Sequence, residues 1–166
     1  MNANGRFVWY DLMTNDPEGA KRFYGELIGW KTSKWSGGDY EMWSAGEQMI
    51  GGIMSLPPEA KGAPPHWLGY VAVEDVDATA RKAQELGGKV HHPATDIPNV
   101  GRFAVLADPQ GATFAVYRSA TGGEAPDREG MGHFSWAELN TTDWKSAWKF
   151  YSQLFPWKNT STSSTR

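Results

Sequence analysis

Residues 7–31 read FVWYDLMTNDPEGAKRFYGELIGWK, and residues 134–158 read FSWAELNTTDWKSAWKFYSQLFPWK. Set side by side without a gap at an offset of 127, 11 of the 25 positions are identical: Phe7/Phe134, Trp9/Trp136, Leu12/Leu139, Thr14/Thr141, Asp16/Asp143, Ala20/Ala147, Phe23/Phe150, Tyr24/Tyr151, Leu27/Leu154, Trp30/Trp157 and Lys31/Lys158. A repeat of this kind sets the unit from which the fold is built. Each copy reads as a β-rich run leading into a helix. Asp16 or Asp143 opens that helix with a carboxylate that accepts from the first free backbone N–H groups. Pro17 follows in the first copy, where its missing N–H costs nothing. Ala20, Phe23, Tyr24 and Leu27 then fall at i, i+3, i+4 and i+7, which predicts one apolar stripe for a sheet to cover. Gly29 ends the helix and Trp30 opens the next strand.

A fainter repeat inside the first segment, at an offset of 59, pairs Asp16 with Asp75, Leu27 with Leu86 and Gly29 with Gly88. The order is therefore strand, helix, three strands, twice. The first unit is expected to have strands near 6–13, 30–35, 40–45 and 48–54 with a helix at 17–28. The second is expected to have strands near 66–74, 89–93, 101–107 and 112–118 with a helix at 76–86. Gly37-Gly38-Asp39, Ala45-Gly46, Pro57-Pro58 and Asp108-Pro109-Gln110-Gly111 are the turn signals between them, and Pro57 to Pro65 links the units. Residues 1–120 thus read as a complete domain built from units 6–56 and 66–118, followed by a linker at 121–131. Residues 132–158 read as a partial third unit, a strand and a helix with no following strands. The Ser, Thr and Asn tail at 159–166 is expected to be disordered.

Composition narrows the classes of function. A chain of 166 residues with 40% hydrophobic and 13% aromatic residues can close a core. The net charge is -3 with no run of Lys or Arg, which argues against a nucleic-acid partner. There is no cysteine, so disulfides, thiolate metal sites and a Cys nucleophile are excluded together, and the expected location is the cytoplasm. No window approaches the roughly 20 apolar residues of a membrane span, so no membrane partner is expected.

The ordered set of two βαβββ units, the Asp-capped helix carrying Phe23-Tyr24-x-x-Leu27-x-Gly29-Trp30, the Asp75-Val76-Asp77 helix start and the closing Asp108-Pro109-Gln110-Gly111 hairpin resembles the glyoxalase/bleomycin resistance/extradiol dioxygenase (vicinal oxygen chelate) superfamily. The chain is most similar to its tandem-domain, glyoxalase-like members, because Trp136 to Trp157 restarts the same opening. The resemblance covers 6–118 fully and 132–158 in part. It implies an α+β fold in which paired βαβββ units form one curved-sheet domain with a central pocket, here with a partial third unit. It does not imply one reaction, since this fold hosts lyases, isomerases, dioxygenases and drug-binding proteins.

Metal-dependent members of the family hold a divalent ion with His, Gln or Glu on the first and last strands of each unit. Those positions here are Trp9, Leu68, Ile50 and Ala115, none of which offers a nitrogen or oxygen ligand to a cation. No metal ligand set and no cofactor are expected, although the identity of any divalent ion stays open to measurement. A set displaced by two residues along the same strand faces would turn Asp11 and His66 inward beside Tyr70 and Tyr117. Asp11 and His66 are the candidate catalytic bases. The plainer reading of His66 is a partly solvated strand-end histidine, and Asp11 inside a strand needs a partner if it is buried. Arg102 is a candidate for that partner, for an anion contact, or for an ordinary salt bridge. Trp9 and Trp67 are candidates either for core or for an apolar pocket that takes a planar ligand, with Tyr70, Arg102 and Tyr117 completing its lining.

Three functional readings follow: metal-free binding of a small, partly aromatic molecule; a lyase or isomerase using Asp11 or His66 as base; and an interaction role for residues 132–158. The third rests on Phe134, Trp136, Phe150, Tyr151 and Leu154, which lack a sheet of their own to cover them. They are expected to dock on the main domain or to be exchanged between two chains of a homodimer.

Overall fold

The computed structural model of the chain describes residues 3–56, 58, 62–122 and 130–160. Most of the expected linker at 121–131, part of the 57–65 connection and positions 161–166 of the polar tail lie outside the described residues. The fold is α+β, in the order β1 (Phe7–Thr14), α1 (Pro17–Ile28), β2 (Lys31–Lys34), β3 (Glu41–Ala45), β4 (Gln48–Ser55), β5 (His66–Ala72), α2 (Val76–Glu85), β6 (Lys89–Ile97), β7 (Gly101–Ala107), β8 (Thr113–Ser119) and α3 (Trp144–Leu154). The βαβββ order therefore occurs twice, and α3 follows. No described helix is long and apolar enough to cross a membrane.

The local signals act as the sequence indicates. Asp16 accepts from the Gly19 amide at 2.8 Å, Pro17 stands at the first helical position, and Gly29 closes α1 in the left-handed conformation at φ 74°. Asp75 accepts from the Ala78 amide and Asp143 from the Lys145 and Ser146 amides. The Asp108 hairpin is held by its own carboxylate, whose Oδ1 accepts from the Gln110 and Ala112 amides at 2.8 and 2.9 Å.

The described chain divides into two bodies. One gathers residues 7–70 with 130–138, and the other gathers 3–6, 71–122 and 139–160. In the first, the strand order is β2-β3-β4-β1-β5. β1 runs parallel to β4, with Asp11 opposite Gly52, and β2/β3 and β3/β4 are antiparallel, with a register shift at Trp43/Ser44. Its core is Leu12, Trp30, Trp43, Ala45, Ile50 and Ile53, against which Ala20, Tyr24, Trp67 and Phe134 pack. In the second body the order is β8-β7-β6, with β7 antiparallel to both neighbours.

Two expectations are corrected. The stripe on α1 is only half used: Ala20 and Tyr24 pack on the core, while Phe23 and Leu27 are 57% and 64% exposed. Residues 134–140 form no strand. With no sheet edge of their own to pair with, they are held by side chains, the Phe134 ring stacking on Tyr10 with centroids 3.9 Å apart. Residues 132–158 are also not uniformly exposed. Trp136 is open to solvent, but Phe150 and Tyr151 are buried beside Phe114.

Candidate active site

Alternation along β1 puts Trp9 and Asp11 on one face of the strand and Tyr10 and Leu12 on the other. Asp11 is 3% exposed, and every oxygen of its carboxylate is occupied. Oδ1 accepts from the Trp9 indole N–H at 3.0 Å and from the Tyr40 hydroxyl at 2.5 Å, and Oδ2 accepts from the Tyr70 hydroxyl at 2.7 Å. The Trp9 N–H also reaches the Tyr40 oxygen, at 2.8 Å. Four side chains from β1, β5 and the turn before β3 thus close into one network.

Gly52 makes room for it. A Cβ at Gly52, opposite Asp11 in the β1/β4 register, would run into the Tyr40 hydroxyl and the Asp11 carboxylate. Tyr40 is brought in by the Gly37-Gly38-Asp39 turn, which is closed when the Trp35 amide donates to the Tyr40 carbonyl at 2.8 Å.

Burial pushes the Asp11 carboxyl above its ordinary value of 3.8, against the pull of the bonds from Tyr40, Tyr70, Trp9 and the Gly52 backbone. Burial, reinforced by the Asp11 charge, pushes both the Tyr40 and Tyr70 hydroxyls well above the usual phenol range. The two tyrosines therefore remain donors throughout the physiological range. A carboxyl with a raised pKa and two fixed phenols is the combination from which a general base or a hydrogen-bonding platform is built.

Of the expected residues the structure brings together Trp9, Asp11 and Tyr70; His66 and Trp67 make other contacts in the same body, and Arg102 and Tyr117 belong to the other. His66 lies at the start of β5, half-buried, with Nδ1 against the Pro64 carbonyl at 2.8 Å, so that ring nitrogen is the donor. Trp67 faces the core, where its N–H donates to the Tyr24 hydroxyl at 3.1 Å and its ring meets Trp30 and Phe134. In the other body, Arg102 forks onto Asp77 at 2.8 and 2.9 Å and reaches Asp96 at 2.9 Å, the ordinary salt bridge of the alternatives. That pairing holds Asp77 below the usual carboxylate range. The Tyr117 hydroxyl donates to the Val100 carbonyl at 2.9 Å. Tyr40 is the member that the sequence did not single out. A tyrosine directly after a Gly-Gly-Asp turn, in front of a strand with the adjacent glycines Gly51 and Gly52 opposite, was the available signal.

The positions that carry a metal in metal-dependent relatives do not fit one here. Leu68, Ile50 and Ala115 are buried and apolar, and Trp9 spends its only polar atom on Asp11 and Tyr40. Among the described residues no three His, Cys, Asp or Glu side chains converge.

Comparison with known proteins agrees with this architecture. The sequence model of the Glyoxalase/Bleomycin resistance protein/Dioxygenase superfamily matches residues 6–116. The Mycobacterium tuberculosis protein named "Putative glyoxylase CFP32" is 44% identical over 123 residues, 72% of this chain and 46% of that protein. The chain thus spans about half the length of that relative. The anthracycline biosynthesis protein DauV of Streptomyces sp. (strain C5) is 31% identical over 164 residues, 90% of this chain and 60% of its own. Among solved structures, methylmalonyl-CoA epimerase from Mycobacterium tuberculosis superimposes with a TM-score of 0.50 at 14% identity, over 72% of this chain and 91% of the epimerase, a likeness of fold.

Proposed function

This chain belongs to the glyoxalase/bleomycin resistance protein/dioxygenase superfamily, and from that premise we propose that it binds a small, partly aromatic molecule without a metal ion. One observation carries the reading. At the four positions where relatives place metal ligands the chain has Leu68, Ile50 and Ala115, which are apolar and buried, and half-buried Trp9, whose indole is the surface that a ligand would meet there. Beside Trp9, the Asp11 network fixes two phenols and supplies the few placed polar groups that orient a ligand on such surface. The match to an anthracycline biosynthesis protein over most of the chain supports a planar, fused-ring ligand class.

The test is a pair of titrations on the purified chain. Planar polycyclic phenols and quinones should quench tryptophan fluorescence with saturation, and Trp9→Phe should reduce the quenching. Mn, Fe, Zn and Ni should leave the melting temperature unchanged and leave no stoichiometric ion after desalting. A stoichiometric ion that raises the melting temperature would sink the metal-free reading, and a chain that none of the aromatics quench would sink the ligand class.

The raised pKa of Asp11 favours a second reading, a cofactor-free lyase or isomerase in which Asp11 takes a proton from a carbon acid. Asp11 is a better base than His66, which is engaged at the strand end. If that reading holds, Asp11→Asn abolishes turnover of a ligand that it still binds. Equal turnover by both proteins would end it.

A further inference from the structure

Arg102 fixes which face of the second body's sheet is which. It binds Asp77 of α2, so Arg102, Ala104 and Leu106 of β7 and their partners Arg118, Val116 and Phe114 of β8 lie on the helix side. The α3 helix meets that side too, through Phe114. Phe103 and Val105 of β7, with Ala115 and Tyr117 of β8, therefore lie on the opposite face, away from both helices.

The edge strand β6 adds one aromatic ring to this face, and it does so because its register slips. Val90 pairs with Leu106 on the helix side, so a regular ladder would next set His91 against Val105. The strand instead carries an extra residue there and pairs His92 with Val105. A bulge of this kind re-aims a side chain. It turns His92 away from the helices and onto Phe103, with ring centroids 5.1 Å apart and planes 8° from parallel. A second slip, across Pro93, sets Thr95 opposite Phe103, and the missing amide hydrogen of Pro93 costs little at a slip in an edge strand.

The imidazole is thus held flat without being spent. Phe103 backs it, the residue is exposed, and among the described residues none hydrogen-bonds to either ring nitrogen. The same face carries Ile97, Val105 and Tyr117, whose hydroxyl is tied to the Val100 carbonyl. It carries no carboxylate from these strands: Asp96, the acidic residue of β6, pairs with Arg102 on the helix side, and β7 and β8 contain none. An imidazole is flat and can carry positive charge near neutral pH. Stacked face to face on an anionic ring, it gains the ring contact and the charge attraction together.

We propose that His92 is the ligand-contacting residue of a stacking site on this face, and that the site selects planar aromatic acids over neutral rings of the same shape. The planar ring rests on the aromatic-ligand reading above, whereas its negative charge follows from His92, without Trp9 or Asp11.

Naphthoate and naphthalenemethanol share a ring system and differ in charge. Affinity of the full chain for each is read by equilibrium dialysis, and the place of binding by the ring proton signals of His92 in nuclear magnetic resonance. Naphthoate should move those signals with saturation and bind about tenfold tighter than the alcohol. His92→Phe keeps a flat ring on Phe103 and should bind the two compounds alike, whereas His92→Ala should weaken both. Both variants should fold, because the side chain is exposed, and circular dichroism checks this. Equal affinities in the unaltered chain, or a preference for naphthoate that survives His92→Phe, overturns the site. Saturable tryptophan quenching by aromatics with His92 signals unmoved also overturns it while leaving the aromatic-ligand reading intact. The absence of both effects removes the two together.

Discussion

The Tyr40 hydroxyl donates to Asp11 Oδ1 at 2.5 Å, the shortest bond of a network that leaves no oxygen of this buried carboxylate unoccupied. Those bonds stabilise the charged form, yet burial outweighs them and the carboxyl sits above 3.8. The folded protein therefore holds this proton more tightly than the unfolded chain does. The stability that Asp11 contributes is fully present below about pH 3.8 and is lost as pH rises through its folded pKa. Replacing Asp11 by Asn removes the titration. The melting temperature of Asp11→Asn should accordingly rise relative to the unaltered chain as pH is raised from about 4 towards 8. Asp77 and Asp143, whose folded pKa values are depressed, contribute in the opposite sense but equally in both proteins, so they cancel in the difference. A difference that is flat across this range would mean that Asp11 does not titrate in the folded state there.

Gly52→Ala tests the geometry of the same network. The added Cβ would collide with the Tyr40 hydroxyl and the Asp11 carboxylate, neither of which can move without breaking a bond to the other. Overpacking of this kind costs about 1–3 kcal/mol, and denaturant unfolding should show a loss in that range. Gly38→Ala is the control: its Cβ would meet only the Trp35 ring at 3.6 Å, an ordinary contact. Equal losses for the two variants would show that Gly52 is not required by what lies opposite it.

What was legible in the sequence was whatever a short segment decides by itself. The caps at Asp16, Asp75 and Asp143 and the hairpin at Asp108 rest on bonds within four residues, and the strand and helix bounds of both βαβββ units follow from period and punctuation except in β6, which runs on past the expected 89–93 and through Pro93 to Ile97. The stripe of α1 was misread because periodicity reports which residues share a face, not how wide a surface covers them. In α3 the equivalent Ala147, Phe150 and Tyr151 are all buried. The strand at 134–140 failed for a related reason: a β-rich run needs an edge to pair with. In the candidate site, Asp11 and Tyr70 were readable by strand alternation. Tyr40 lies 29 residues from Asp11 and joins it only through the β1/β4 register and the hairpin that follows α1, which no local pattern encodes.

Arg102 was a candidate for an anionic ligand, but its guanidinium is committed to Asp77 and Asp96 on the partly exposed flank of α2 and β6. Arg102→Ala should therefore lower the melting temperature by an amount that shrinks as salt is added, because exposed pairs are screened. It should leave the saturation of fluorescence quenching by aromatic ligands unchanged. An affinity loss of about tenfold, which corresponds to roughly 1.4 kcal/mol of binding, would restore Arg102 to the ligand site.

Tyr151 anchors α3 through Asp108, which is 2% exposed and has Oδ1 already filled by the Gln110 and Ala112 amides. Oδ2 receives the Tyr151 hydroxyl, and burial, reinforced by the Asp108 charge, pushes that phenol up. Tyr151→Phe keeps the ring beside Phe114 and removes only this donor, leaving one buried carboxylate oxygen short of a partner. Such a deletion costs about 1–3 kcal/mol. The loss should be local before it is global, because the burial of α3 rests on a few rings. Hydrogen exchange should accelerate in the amides of Trp144–Leu154 before those of β7 and β8 respond. Uniform acceleration across α3, β7 and β8 would instead make α3 part of one cooperative unit with the sheet, and the helix could then not be displaced separately.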